Sequence, residues 1–290
     1  MKSFLIWVAA IVITLSAVVY QRVTGPTNPL KTKFVLEGET YTTKFSRSLE
    51  TLVSLDNLNN EGKTSLMKVE LEPISDDVSL SILLRRYPGN DSLITVEATY
   101  KEGLYYVELP SQPPAGKIIY YPLITKEGES VMIEKEKGII LRFKAPVSSK
   151  ILIPHIILMF VAMLFSNLAG ITSFFYSSKV RRYAYITVIT LVAGGLFFGP
   201  LVQKAAFGAY WTGWPFGGDL TDTKTMVAVL VWIVALVLNS RVKGHKINSR
   251  RYLYTLAAVV TMLIYTIPHS TAGSEFNYST GVVTTGVTKE

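Results

Sequence analysis

Five stretches of this chain are apolar for long enough to be read as helices crossing a lipid bilayer: Phe4 to Tyr20, Ile151 to Phe175, Tyr183 to Val202, Met226 to Leu238 with its flanks, and Tyr252 to Ile267. A hydrocarbon core of about 30 Å takes roughly 20 mostly apolar residues as helix. Inside it, every backbone N–H and C=O must find its partner within the protein, and a helix does this with local bonds alone. These runs therefore decide the class of fold before anything else is read. Composition agrees. Charged residues make up 17% of the chain and hydrophobic residues 49%, against about 25% charged in an ordinary soluble domain.

Charge placement orients the spans. The segment between the second and third runs carries Lys179, Arg181 and Arg182 and no acid. The one between the fourth and fifth carries Arg241, Lys243, Lys246, Arg250 and Arg251, again with no acid. Loops rich in Lys and Arg stay in the cytoplasm. The net charge of +8 is thus explained by topology, and no nucleic-acid partner is expected. Alternation then puts the N-terminus inside. Residues 22–149, the loop 203–225 and the C-terminal tail lie outside a cytoplasmic (inner) membrane. The first run has no obvious A-x-A-like cleavage site and is long for a signal peptide, so it is read as an uncleaved anchor over residues 1–22.

Residues 31–148 read as strands. Lys68-Val69-Glu70-Leu71-Glu72 and Thr95-Val96-Glu97-Ala98-Thr99-Tyr100 alternate polar with apolar, the period of a half-buried strand. Shorter runs cover Leu80 to Leu84, Leu104 to Leu109, Lys117 to Ile124 and Ile139 to Phe143. Turn signals such as Pro88-Gly89-Asn90-Asp91, Glu102-Gly103, Pro113-Pro114-Ala115-Gly116 and Glu127-Gly128 separate them. About seven short strands broken every 8–12 residues suggest an antiparallel β-sandwich, similar in pattern to immunoglobulin-like or fibronectin-like modules. This region has no cluster of acids or histidines and no Gly-rich phosphate loop, so it reads as a spacer or as a surface for a protein partner. The expected fold class is a helical membrane bundle of five spans with an inserted extracytoplasmic all-β domain. Its units are the anchor, the sandwich at 31–148, a four-helix part at 151–270 and a tail at 271–290.

Chemistry-bearing residues are few. The chain has no cysteine, which excludes disulfides, thiolate metal sites, Fe–S clusters and covalent haem attachment through this chain. No hydrolase triad, P-loop or metalloprotease motif occurs, and an enzyme is not the leading expectation. Of the three histidines, His245 falls in the basic cytoplasmic loop. His155 starts the second span and His269 follows the fifth, which places both near the outer surface. The loop from Gly208 to Asp222 lies at the same level and contains Tyr210, Trp211, Thr212, Trp214, Asp219 and four glycines. Interfacial Trp and Tyr form belts without further purpose, and Asp219 or Asp222 could cap the helix beginning near Thr225. A belt does not account for two histidines at the depth of this loop. Two neutral imidazoles on separate helices are the usual axial pair of a b-type haem, with Tyr210, Thr212 and Lys204 available for its propionates. His155 and His269 are the expected metal ligands.

The same residues resemble the tryptophan-rich, WWD-type motif of membrane proteins that handle haem in cytochrome c assembly. Gly208-Ala209-Tyr210-Trp211 matches G-x-Y-W; Trp214, Asp219 and Thr221 follow, with His155 before the motif and His269-Ser270 after it. The resemblance implies a haem held on the outer face between helix-borne histidines. It covers about thirty residues and departs from the pattern. The tryptophans are separated by two residues instead of one, Pro215-Phe216-Gly217-Gly218 intervenes before Asp219, and the external β domain is not a standard part of that family. Haem handling or electron transfer is the first functional expectation. The alternative is a non-enzymatic scaffold whose external domain binds a partner. A transporter ranks last, because the spans carry almost no ionisable residues and no internal repeat.

The topology yields a direct test. Single cysteines at Ser178 and Ser240 should resist an impermeant thiol reagent in intact cells, and one at Thr221 should react.

Overall fold

The chain was analysed as a computed structural model that describes residues 2–59, 61–74, 76–175, 178–240, 251–268 and 273–284. Four helices are long and apolar enough to cross a membrane. The first is α1 (Lys2–Thr24) and the second α2 (Ser149–Ser173). The third is a continuous helix made of α3 (Val180–Leu191), a π-helical stretch (Val192–Phe198) and α4 (Gly199–Phe207). The fourth is α5 (Leu220–Ser240). The last apolar helix, α6 (Tyr252–Thr266), has 15 residues, about 22 Å at 1.5 Å per residue.

The helices pack as hydrocarbon-embedded helices do, by close approach of small residues and a few polar contacts. Gly170 of α2 faces Ala258 of α6 so closely that a Cβ on it would stand 2.5 Å from the alanine's. Trp232 of α5 is fully buried and donates its indole N–H to Thr261 of α6 at 2.8 Å. The N-terminal helix belongs to the bundle. Trp7 packs edge-on against Phe165 and Tyr183, and Asn167 donates to Thr14 at 2.9 Å. Near the other end of α1, Gln21 donates to the Tyr265 carbonyl at 2.8 Å. The last carbonyls of a helix have no partner within it. At the end of α6, Gln21 serves Tyr265 and the Lys224 ammonium serves Ile267 at 2.6 Å.

Between α1 and α2 the chain forms three sheets on one core. Strands β1 (Leu30–Leu36), β2 (Glu39–Phe45) and β5 (Leu71–Glu72) make the first. The second runs β3 (Ser48–Glu50), β12 (Ile139–Lys144), β10 (Lys117–Lys126), β6 (Ser79–Tyr87) and β7 (Ile94–Glu97), with β11 (Glu129–Met132) also on β10. The third is β4 (Thr64–Val69), β9 (Leu104–Pro110) and β8 (Thr99–Lys101). Each alternating run seen in the sequence falls on strand. The runs at Lys68–Glu72 and Thr95–Tyr100 are each cut in two, because the chain crosses there from one sheet to the next: β4 pairs with β9 while β5 pairs with β2, and β7 pairs with β6 while β8 pairs with β9. These crossings let Leu36, Tyr41, Phe45, Met67, Val69, Leu80, Ile82, Val107, Tyr120 and Phe143 share one buried cluster. The pairing is antiparallel except between β3 and β12, which run parallel. The β1–β2 hairpin turns at Glu37 and Gly38, with φ of 49° and 74°, the left-handed pair of a two-residue type I′ turn. Tyr105, buried with its hydroxyl donated to Val78 O at 2.7 Å, has its phenol pushed up to about 12 by burial.

The sheets sit directly on the bundle. Only residues 145–148 separate β12 from α2, and the Ala145 N–H bonds the last turn of α4 at Ala206 O, 2.9 Å. Part of the C-terminal tail forms a hairpin, β13 (Glu275–Asn277) with β14 (Val282–Thr284), docked on the β domain. Phe276 N–H bonds Ala115 O at 3.1 Å, and the Tyr278 hydroxyl accepts from Lys117 N and donates to Lys117 O. Glu275 pairs with the Lys117 ammonium at 3.0 Å. Burial and the nearby Arg142 charge pull Lys117 below the usual lysine range.

Since the β domain has its own buried cluster, residues 31–147 expressed alone should be soluble, β-rich by circular dichroism and cooperative in melting. A helical spectrum would contradict a core confined to the sheets. Because α1 is packed into the bundle, mass spectrometry of the purified protein should find residues 2–24 still attached.

Candidate functional site

The residues singled out from the sequence gather where the sheets meet the helices. α4 ends at Gly208, whose φ of 87° is left-handed and where a Cβ would overlap the Leu55 side chain, so only glycine fits. The chain then runs through Tyr210 and Trp214, which are 57% and 60% exposed. The Trp211 indole donates to Trp214 O at 3.2 Å, and Trp214 N–H bonds the Thr223 hydroxyl at 2.9 Å. Lys204 donates to Gly208 O and lies over the Tyr210 ring. Neither tryptophan lines the internal cavity described below.

Beneath the loop, two buried carboxylates hold it together. Asp222 Oδ2 accepts from Thr212 N–H at 2.7 Å and Gly213 N–H at 3.1 Å. Asp219 caps α5, accepting from Thr221 N–H on Oδ1 at 2.7 Å and from the Thr212 hydroxyl on Oδ2 at 3.0 Å. The Thr212 hydroxyl, 1% exposed, also takes an N–H from Gln203 and lies 3.1 Å from the Ser274 hydroxyl. Five segments thus meet at Thr212: α4, the loop, α5, the stretch before β13, and β12 through Arg142, whose Nη2 donates to Ser274 O at 3.2 Å. The Arg142 guanidinium stacks on Phe207 with 5.4 Å to the ring centre. Burial pulls it below the ordinary arginine range, and the charges of Asp219 and Glu275 offset part of that effect. A guanidinium stays protonated regardless.

His155 approaches from α2. Its Nδ1 lies 2.8 Å from the Gly194 carbonyl, which can only accept, so Nδ1 carries the proton and Nε2 keeps its lone pair in the neutral ring. The π-helical stretch makes this contact possible. There Gly199 N–H bonds Gly194 O, five residues back, and α2 passes so close that a Cβ on Gly194 would stand 2.8 Å from that of Leu158. His155 and Asp219 line one cavity of about 130 Å³ together with Arg142, Gln203, Phe207 and Asp222. His155 also borders a cleft of about 370 Å³ between α1, α2 and α6, walled by Val18, Arg22, Ile156, Met159, Phe160 and Tyr265. His269 and His245 fall outside the described residues. No group of three or more His, Asp or Glu placed to hold a metal occurs among the described residues.

Sequence reasoning missed Arg142, Gln203 and Ser274. Arg142 had a signal, since it stands inside the apolar strand Ile139-Ile140-Leu141-Arg142-Phe143, where an unneeded charge would be costly. Gln203 and Ser274 had none, because their role depends on long-range packing. Thr221, taken from the sequence as an accessible reporter, is half-buried at the cavity; Phe216, 80% exposed, reports the loop better.

Asp222→Ala leaves two buried N–H groups without acceptors, at about 1–3 kcal/mol each, so a marked fall in the unfolding temperature of the detergent-purified protein is expected. Trp214→Ala should change stability by no more than about 0.5 kcal/mol. Compared with known proteins, the chain matches no family model, no curated protein and no solved structure, so the site is read from its own geometry.

Proposed function

We propose that this chain is a five-span protein of the cytoplasmic membrane, N-terminus inside and β-sandwich outside, that binds a b-type haem at the outer end of its bundle for haem handling or electron transfer. The basic segments around 179–182 and 241–251 support the orientation. The observation that carries the haem reading is the His155 N–H on the Gly194 carbonyl. Metal-bound histidines nearly always donate their second ring N–H in this way, which fixes the ring and leaves the other nitrogen to the metal.

Size selects the compartment. Cofactor pockets run to roughly 300–1,000 Å³. The cavity of about 130 Å³ is too small for a macrocycle, and the cleft of about 370 Å³ is within range. Its chemistry fits as well, with the apolar side chains of Val18, Ile156, Met159 and Phe160 for the ring and Arg22 for a propionate. His155 would supply one ring nitrogen to the iron. His269, which follows α6 in the chain, is the proposed second. The iron would supply one-electron chemistry; the protein's part is to orient the imidazole and exclude water. Asp219, Trp211 and Trp214 then support the site by folding the loop, and Tyr210 remains at the interface.

A second reading, a non-enzymatic scaffold that presents its β domain to a protein partner, draws on the short 145–148 link and the Thr212 network, which fix the sheets on the bundle. Absorption spectra separate the two. Protein purified from haem-replete cells should show a Soret band, lost in His155→Ala and His269→Ala and kept in His245→Ala. Absence of the band from the wild-type protein would leave the scaffold.

A further inference from the structure

The smaller cavity beside His155 differs from the cleft in its chemistry, and its most demanding wall is Arg142. This side chain is 7% exposed. A guanidinium carries five N–H donors, and among the described residues the Arg142 side chain makes one hydrogen bond, to Ser274 O. No carboxylate among the described residues comes within ion-pair distance of it. Asp219 stands opposite, across Gly273: a Cβ on that glycine would lie 3.3 Å from Nη1 and 3.5 Å from Asp219 Oδ2. Leaving a buried charge without a partner is among the most costly arrangements in a protein.

The acids nearby are already committed. Asp222 Oδ2 receives two backbone N–H groups, and Asp219 receives Thr221 N–H and the Thr212 hydroxyl. What the cavity still offers is therefore the remaining N–H groups of Arg142, beside an apolar surface made by Met159, Val202 and Phe207. Planar guanidinium donors match two oxygens on one carbon. The two aspartates, offset only in part by Lys224 near Asp219, argue against more than one negative charge on a ligand. A cavity of roughly 150 Å³ holds benzene, which sets the size that about 130 Å³ can accept.

We infer that the cavity is a binding site for a short-chain monocarboxylate, an acid the size of acetate to butyrate, with its carboxylate on Arg142 and its tail against Met159, Val202 and Phe207. This does not rest on the haem reading, since Arg142, which carries it, borders the cavity and not the cleft.

The test is thermal unfolding of the full-length protein in detergent, titrated with sodium propionate or butyrate at constant ionic strength against chloride. The expected result is a saturable rise in unfolding temperature that propanol and propylamine do not reproduce. Arg142→Gln should weaken the apparent affinity at least about tenfold, which corresponds to ~1.4 kcal/mol. Should Arg142→Gln fail to fold, Val202→Phe fills the cavity without touching a charge and should abolish the shift. No carboxylate-specific shift in the wild-type protein would overturn the inference, as would a shift unchanged in Val202→Phe. Haem content plays no part in this readout, so its failure and that of the haem reading are separable.

Discussion

At the joint between sheets and helices, backbone groups are shut away from bulk water, and each must be bonded by the protein itself. Asp222 meets that demand for the loop. Its carboxylate takes the N–H groups of Thr212 and Gly213, which turns the loop under itself and delivers the Thr212 hydroxyl to Asp219, Gln203 and Ser274. Without that anchor, α4, α5 and the segment leading into β13 have no common point, and Arg142 loses the carbonyl that receives it. The loop's acids are thus structural first. Whatever the site binds is held by groups the network positions: His155 through Gly194, and Arg142 through Ser274.

This order of dependence bears on how the two functional readings relate. A haem in the cleft needs α1, α2 and α6 held at fixed separation, and the ties at the end of α6 provide it. Gln21 and Lys224 bond that helix's last carbonyls from two different neighbours. A scaffold needs the β domain held at fixed orientation, and the same end of the bundle provides that through the 145–148 link and the docked hairpin of residues 275–284. The two demands are compatible, because the ties lie on separate elements.

Much of this was legible from local pattern, and the remainder was hidden for identifiable reasons. Period-two alternation exposed the strands within Lys68–Glu72 and Thr95–Tyr100, since one face of each meets the common core. It did not expose their division at Glu70 and Ala98, because a strand that changes sheets keeps its alternation. The start of α5 was placed near Thr225, whereas the helix begins at Leu220, because Thr221, Asp222, Thr223 and Lys224 look like loop. They are helical because Asp219 caps them and the Thr223 and Thr225 hydroxyls bond carbonyls four residues back. The third helix was likewise ended at Val202, although Gln203 and Lys204 continue it. His155 was recognised from its place at the start of a span, whereas its hydrogen bond to Gly194 requires a backbone geometry that no residue pattern announces.

That geometry reaches beyond His155. A π-helical stretch amounts to one residue more than an α-helix needs, and one residue is roughly 100° of rotation at 3.6 residues per turn. The third helix therefore changes its inward face partway along. Before the stretch it buries Val180, Ala184 and Thr187 among its neighbours; after it, Gln203 and Phe207 are turned toward Thr212 and Arg142. An unbroken α-helix would have to choose between packing the bundle and floring the joint. The extra residue works as a phase shift, allowing one rod to obey two registers.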